Sequence, residues 1–362
     1  MAHGLFLSSW PLALGSGSGT ALFVNSIRQA VEQSGQSLEI INPSLETDDY
    51  AQFVYNRLWF NTQLPQDARL ANAAWVLTID YDGYAAPRKT SQPFIASARA
   101  LFAEIAPTEP EPFRTLLNLQ AFFDGHNFRS ATWVTTPSEY ARQKVAEHYQ
   151  VPLEKIITIP NGINLTEWDA HWRAVPEPEA HRPPTVLAVS KLYPRKKIDT
   201  LIRAAPILRQ RFPDIDVRIV GGGFEWENWR ALATELQVAG NITWLGDVHD
   251  RRRVVAEYKR CHVFVHPSVQ ETFGNVLLEA MASSRPIVAA HAAALPETIH
   301  ASHGGITVPP EQPETLAFAI IELLENDIRR AQLGRYGREF AKRMTWENAA
   351  QQYQRLFSGE AP

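Results

Sequence analysis

Two glutamates, Glu271 and Glu279, stand eight positions apart around a predicted helix start, where their carboxylates could bind sugar hydroxyls. If residues 271–279 were all helical, the two carboxylates would lie roughly 12 Å apart, given a rise of about 1.5 Å per residue. That distance suits a long ligand with hydroxyl groups at both ends, and it exceeds the spacing of up to about 10 Å found in glycosidases. The alternative is that Glu271 is a solvated loop residue and Glu279 an exposed helical charge.

The segment before this helix predicts a buried strand and a turn. Residues 261–266 form an apolar run that ends at Pro267, so residues 272–274 fall at the first helical turn. The first backbone N–H groups of a helix have no partner within the helix, and they favour an anion such as a diphosphate.

Cations and glycines follow two other predicted strands. Lys191 and Lys196 come directly after residues 185–190, and Gly222 and Gly223 come after residues 216–220. Open α/β sheets bind ligands at this carboxyl edge, and lysine is an adequate point-charge partner for phosphate. A solvated charged surface and a packing turn are the alternatives.

A third glycine loop follows the first predicted strand and contains Gly17 and Gly19. The glycines at 15, 17 and 19 do not match G-x-G-x-x-G, so a dinucleotide fingerprint is not supported. Either the loop lets the backbone approach a ligand closely, or it is a flexible turn.

Polar residues also end two strands of the first half. Asp80 and Asp82 follow a buried strand, and Arg99 follows residues 94–97. We expect Asp82 and Arg99 on the acceptor side of a site. A structural turn at Asp82 and a metal site at Asp80 and Asp82 are the alternatives.

Composition excludes several classes of function. The net charge of −4 offers nothing global that would attract nucleic acid. The single cysteine, Cys261, cannot form an internal disulfide, as expected in a reducing compartment. The start lacks the basic region of a signal peptide, and no segment approaches the roughly 20 apolar residues that span a bilayer. We therefore expect a cytoplasmic protein, or one attached to the inner membrane surface.

Strand and helix patterns alternate along the chain, which is typical of α/β domains with mainly parallel sheets. Residues 169–184 are charged and contain four prolines, a composition typical of linkers. We predict an N-terminal domain over 1–168, a linker over 169–184 and a C-terminal domain over 185–344.

Blocks between residues 159 and 299 together resemble the family-4 retaining glycosyltransferases of the GT-B fold. They are IPNGIN (159–164), SKLYPRKK (190–197), IVGGG (219–223), WLGDV (244–248), QETFGNVLLEAMA (270–282) and ALPETI (294–299). The resemblance implies two Rossmann-like domains facing across a central cleft, with the terminal helix over 345–362 returning to the first domain.

The resemblance also implies roles for individual residues. Glu271 would contact the transferred hexose and Glu279 the ribose, while Lys196 and Lys191 would bind the diphosphate. The first of these two cations is typically arginine in the family, so Lys191 departs from the pattern. The remaining donor-binding positions are Gly17, Gly19, Gly222, Gly223, Val248, Phe273, Gly274, Asn275 and Val276. The catalytic set is Glu271, Lys196, Lys191 and Asp82.

The predicted function is a retaining hexosyltransferase that needs no metal or cofactor. Its donor would be a nucleotide sugar, most simply UDP-glucose, and its acceptor a saccharide or a lipid-linked molecule, as in polysaccharide or glycolipid biosynthesis. A nucleotide-sugar epimerase, a sugar phosphorylase and a catalytically silent nucleotide-sugar-binding protein are the alternatives.

Overall fold

The computed structural model describes residues 3–12, 19–43, 47 and 49–360. The chain forms two compact units. The first comprises residues 1–162 together with 346–362, and the second comprises residues 163–345.

The first unit is a parallel sheet with helices on both faces. Its six described strands are β1 (His3–Leu7), β2 (Ser37–Ile41), β3 (Trp75–Ile79), β4 (Phe94–Ser97), β5 (Trp133–Thr136) and β6 (Ile156–Thr158), in the order β2-β1-β3-β4-β5-β6. Its described helices are α1 (Gly19–Gln33), α2 (Tyr50–Gln63), α3 (Ala68–Asn72), α4 (Phe102–Ile105), α5 (Phe113–Ser130), α6 (Glu139–Tyr149) and the C-terminal α15 (Trp346–Phe357). Buried aromatic rings join the last helix to the first: Trp346 and Tyr353 pack with centroids about 6 Å from that of Phe23.

The second unit repeats this architecture. Its six described strands are β7 (Thr185–Val189), β8 (Asp216–Val220), β9 (Ile242–Gly246), β10 (Val263–His266), β11 (Ile287–Ala290) and β12 (Gly305–Val308), in the order β12-β11-β10-β7-β8-β9. Its described helices are α7 (Leu165–Ala174), α8 (Ile198–Arg211), α9 (Trp226–Glu235), α10 (Arg251–Arg260), α11 (Asn275–Ala282), α12 (Leu295–Ser302), α13 (Pro313–Glu325) and α14 (Asp327–Ala341). Because all these strands are parallel, their carboxyl ends meet at one edge of the sheet, where α/β domains bind ligands.

The boundary between the units differs from the predicted one. Residues 163–168 belong to the second unit, and residues 169–174 continue helix α7 instead of forming a linker. The cause is Trp168, which is 1% exposed and packs its ring edge-on against Tyr258. This burial attaches α7 to the second unit although the surrounding sequence is charged.

Within the described residues, no helix combines the length and the apolar character needed to cross a membrane.

Candidate functional site

The helix that carries Glu279 begins after Glu271, so residues 271–279 are not all helical. Helix α11 begins at Asn275, and Gly274 before it has a φ of +85°, a conformation that glycine adopts without strain. Glu271 therefore lies in the loop between β10 and α11, so the 12 Å spacing calculated for a continuous helix does not apply. The first amides of α11 still lie next to this loop, and the Leu277 amide donates to the Gly274 carbonyl at 2.9 Å.

The side chains of Lys196 and His266 hold Glu271 at the carboxyl edge of the second sheet. Its Oε1 lies 2.5 Å from Lys196 Nζ and 2.7 Å from His266 Nε2. Burial raises the pKa of Glu271, but the Lys196 ammonium and the His266 hydrogen bond outweigh it and hold the pKa well below its usual range. The result is an ionised carboxylate with a fixed orientation.

His266 is a partner that sequence analysis missed. It ends strand β10, is 2% exposed, and its Nδ1 has no hydrogen-bond partner among the described residues. The apolar strand pattern gave no reason to separate this histidine from the core, although its position at a strand end next to Pro267 was a usable signal.

Lys191 and Gly222 converge, as expected, but on a carboxylate of the protein itself. Asp247 Oδ1 accepts hydrogen bonds from Lys191 Nζ at 2.7 Å and from the Gly222 amide at 3.0 Å. Burial raises the pKa of Asp247, and the Lys191 ammonium and the Gly222 amide reverse this and lower it. Lys191 Nζ and the Gly222 amide, both predicted to bind a diphosphate, thus already bind the Asp247 carboxylate. Gly223 follows in the same loop after β8.

Glu279 lies on α11 and is also engaged. Its carboxylate accepts hydrogen bonds from Arg251 Nη1 at 2.9 Å and from the Tyr258 hydroxyl at 3.0 Å. Glu279 is 7% exposed, and the Arg251 guanidinium stacks 4.8 Å from the centroid of Trp168. Neither Arg251 nor Tyr258 was identified from the sequence, because both lie on α10, more than 20 residues away along the chain.

The other donor-side positions fall into three groups. Phe273 is 4% exposed and packs in the core, so only its backbone can meet a ligand. Val248 and Val276 are half-buried. Gly19 begins α1, whereas Gly17 lies outside the described residues.

The predicted acceptor-side role of Asp82 does not fit its surroundings. Its carboxylate is fully buried, accepts hydrogen bonds from the Ser9 amide at 2.7 Å and the Ser9 hydroxyl at 2.6 Å, and lies 3.5 Å from Arg57 Nη2. The sequence showed an acid after a strand, but not that α2 would place Arg57 beside it. Asp82 is a structural group of the first unit.

Asp80 is equally buried. Its Oδ1 accepts from the Arg99 and Ala100 amides at 2.8 and 2.9 Å, and its Oδ2 has no partner among the described residues. Burial raises the pKa of Asp80 to about 6, against the opposing influence of Arg57 and the two amides. In the described part of the chain, no group of three or more His, Cys, Asp or Glu residues could hold a metal ion.

Arg99 also has a structural position. Its guanidinium donates to Ser97 Oγ at 2.8 Å, to Asn161 Oδ1 at 2.5 Å and to the Tyr353 hydroxyl at 2.8 Å. The side chain thereby joins the end of β4 to α15. These contacts use several of its five N–H groups, which weakens the prediction that it binds an acceptor.

The geometry agrees with matches to known families. The family model for "Glycosyltransferase Family 4" matches residues 35–167, and the model for "Glycosyl transferases group 1" matches residues 173–340.

Two curated relatives illustrate the similarity. One is the GDP-mannose-dependent alpha-(1-6)-phosphatidylinositol monomannoside mannosyltransferase of Mycobacterium tuberculosis, to which the chain is 31% identical over 235 residues. The aligned region covers 60% of this chain and 59% of that protein. The chain is 31% identical over 179 residues to the D-inositol 3-phosphate glycosyltransferase of Corynebacterium glutamicum, covering 48% of this chain and 43% of that protein. The matches thus span less than two thirds of these relatives' own lengths.

Solved structures match over nearly the whole chain. The sucrose-phosphate synthase from Thermosynechococcus elongatus has a TM-score of 0.80 at 19% identity, covering 99% of this chain and 100% of that one. Anabaena HepE in complex with UDP and glucose has a TM-score of 0.75 at 18% identity, with the same coverage. Both structures support the fold. The two family matches and the two parallel sheets together place this chain in the group 1 glycosyl transferases, with the α/β architecture of the GT-B fold.

Proposed function

We propose that this protein is a retaining hexosyltransferase that uses a nucleoside diphosphate hexose as donor. The observation that carries the proposal is Glu271, an ionised carboxylate held between Lys196 and His266 beside the amino end of α11. This arrangement offers a hydrogen-bond acceptor for sugar hydroxyls next to a cation and backbone amides that suit a phosphate.

The proposed chemistry follows from these charges. The bond between C1 of the hexose and the diphosphate oxygen breaks, and negative charge grows on the departing phosphate. Lys196 and the first amides of α11 would stabilise this charge, and preorganised groups of this kind are usually the largest catalytic contribution. The resemblance to retaining glycosyltransferases further implies that the acceptor hydroxyl attacks C1 on the same face and passes its proton to the departing phosphate oxygen.

Lys191 and Glu279 would act mainly in binding. The donor diphosphate would replace Asp247 as the partner of Lys191 and of the Gly222 amide, because a diphosphate carries more charge than a carboxylate. Glu279 would accept from the ribose hydroxyls while Arg251 and Tyr258 hold its carboxylate in place.

For the donor we retain the sequence-based prediction of UDP-glucose and test it against GDP-mannose. The second candidate deserves a place because the mycobacterial relative is named GDP-mannose-dependent. Calorimetry with UDP and GDP separates the two, and tighter binding of GDP would refute the uridine prediction. The acceptor class remains a saccharide or a lipid-linked molecule, with peripheral contact to the inner membrane surface as the corresponding prediction for location.

The transferase proposal itself is tested by product analysis. Purified protein is incubated with each donor, with and without acceptors, and release of nucleotide is measured together with the sugar product. Slow hydrolysis of the donor without acceptor would exclude a silent binding protein. Phosphate-dependent turnover would indicate a phosphorylase, and conversion of the donor sugar to its epimer would indicate an epimerase. Either result would refute the proposal.

The control variant for this assay is the neighbouring lysine. Lys196→Ala removes the cation beside Glu271, whereas Lys197→Ala removes an equal charge that pairs with Glu311 at 2.7 Å. The proposal requires the first change to lower turnover strongly and the second to leave it nearly unchanged.

A further inference from the structure

A second charged cavity lies in the second unit, at the opposite edge of the sheet from Glu271. Its volume is about 560 Å³, and its walls include His262 and Pro286, the residues that immediately precede strands β10 and β11. One side of helix α14 and Trp172 of α7 complete it. None of the residues assigned to the donor site lines this cavity.

Four arginines line the cavity against two aspartates. Both aspartates are already paired. Arg338 Nη2 lies 2.9 and 2.7 Å from the two carboxylate oxygens of Asp169, and Arg330 Nη2 lies 2.6 Å from Asp327 Oδ1. The excess of two positive charges is notable in a chain whose net charge is −4.

The two remaining arginines carry that excess. Arg285 stacks 5.4 Å from the centroid of Trp172, and its buried Nε has no hydrogen-bond partner among the described residues. Arg335 is exposed, and its guanidinium forms no hydrogen bond or ion pair within the part of the chain that the structure describes. Both guanidinium groups therefore retain donors for a ligand.

His262 of the cavity wall is also surrounded by positive charges. Burial lowers its pKa to about 4, and Arg182, Arg330 and Arg285 add to the effect. Its Nδ1 accepts a hydrogen bond from the Thr185 amide at 2.9 Å. The neutral ring must therefore carry its proton on Nε2, which adds a donor to a cavity already rich in them.

The arginines are mounted on closely packed helices. A Cβ atom at Gly334 of α14 would lie 2.2 Å from the carbonyl oxygen of Ser284, so the helix can approach the end of α11 only because this residue is glycine. Arg338 donates to the carbonyl of Ala282, the last residue of α11, at 2.7 Å. Arg330 and Arg338, which ion pairs already hold on this packed surface, lose little entropy when a ligand binds.

We propose that this cavity is a second ligand site, which binds a phosphoryl group carrying at least two negative charges. Arginine forks match phosphate oxygens with two parallel hydrogen bonds, and the paired aspartates hold Arg330 and Arg338 in position. The cavity is large enough for a small phosphorylated molecule. The phosphoryl group can belong to a soluble metabolite or to a lipid headgroup.

The test is calorimetric titration with pyrophosphate. Wild-type protein should show two binding events, one at the donor site and one at the cavity. Lys196→Ala should weaken the first, and Arg335→Ala should weaken the second about 10-fold, as expected for a lost charge-assisted hydrogen bond. The matched control is Arg230→Ala, which removes an exposed arginine of α9 outside the cavity and should change neither event.

Vesicles distinguish the two sources of the phosphoryl group. Binding of pyrophosphate with the expected variant pattern indicates a soluble ligand. Binding only to vesicles containing phosphatidylinositol 4-phosphate, whose phosphomonoester can carry two negative charges, again weakened by Arg335→Ala, indicates a headgroup. The proposal is overturned if Arg335→Ala and Arg230→Ala behave alike toward both probes, or if Lys196→Ala abolishes all pyrophosphate binding. Arg335 is exposed, and equal thermal midpoints for the variants will confirm that folding is intact.

Discussion

Replacing Asp80 by asparagine should remove a pH-dependent part of the protein's stability. Asp80 is buried beside Arg57 and Asp82, and burial raises its pKa from 3.8 to about 6. The folded state therefore binds this proton more tightly than the unfolded state. The contribution to the free energy of unfolding is fully present below about pH 4 and is lost as pH rises through about 6.

The magnitude follows from the shift. Raising the pKa of Asp80 from 3.8 to about 6 corresponds to about 3 kcal/mol of unfolding free energy, of which about 2 kcal/mol is lost between about pH 4.5 and 7.5. The asparagine introduced by Asp80→Asn has no such titration. Its amide oxygen can still accept from the Arg99 and Ala100 amides, and asparagine tolerates the left-handed φ of +51° at this position.

The assay is urea unfolding of the wild type and Asp80→Asn across this pH range. The difference between their free energies of unfolding should grow by about 2 kcal/mol toward high pH in favour of the variant. This double difference cancels the pH effects that the two proteins share. It includes the coupling to Asp124, whose pKa is raised by burial and also by the Asp80 charge. Asp214→Asn, at an exposed position, is the control and should show a constant difference. A constant difference for Asp80→Asn as well would refute the argument.

Four further predictions concern the donor site. Glu279→Ala should weaken nucleotide binding by about 1.5 to 3 kcal/mol, while Glu271→Ala should lower turnover and leave nucleotide affinity nearly intact; equal loss of affinity in calorimetry would contradict these roles. Lys196→Ala should lower turnover about 100-fold or more in steady-state assays, and a similar loss in Lys197→Ala would show that position 196 is not special. Asp247→Asn should tighten nucleotide binding severalfold, because it removes a charge that competes for Lys191; weaker binding would mean that the carboxylate assists the donor. Activity should survive thorough chelation, and loss of activity restored by manganese would refute the metal-free mechanism.

Much of the architecture was accessible from sequence. The α/β class and the GT-B fold are confirmed, because buried parallel strands are short apolar runs bounded by glycine, proline and polar residues. Strands β4 and β8 begin and end where the pattern predicted. Strand β12 was missed, since only Val308 of its residues is buried and the run offers no alternation. Helix α5 begins at Phe113, directly after Pro112.

Ion pairing was decided by tertiary structure alone. The sequence could place Glu271, Lys196 and Lys191 at strand ends, since a strand end is a local property. It could not show that Lys196 pairs with Glu271, 75 positions away along the chain, or that Lys191 pairs with Asp247. The same holds for Asp82, which follows β3, because its partner Arg57 lies on helix α2. Local sequence patterns indicate which secondary structure a segment favours. Burial and charge pairing depend instead on which distant segments pack together. Packing therefore decides which carboxylates are structural and which can contact a ligand.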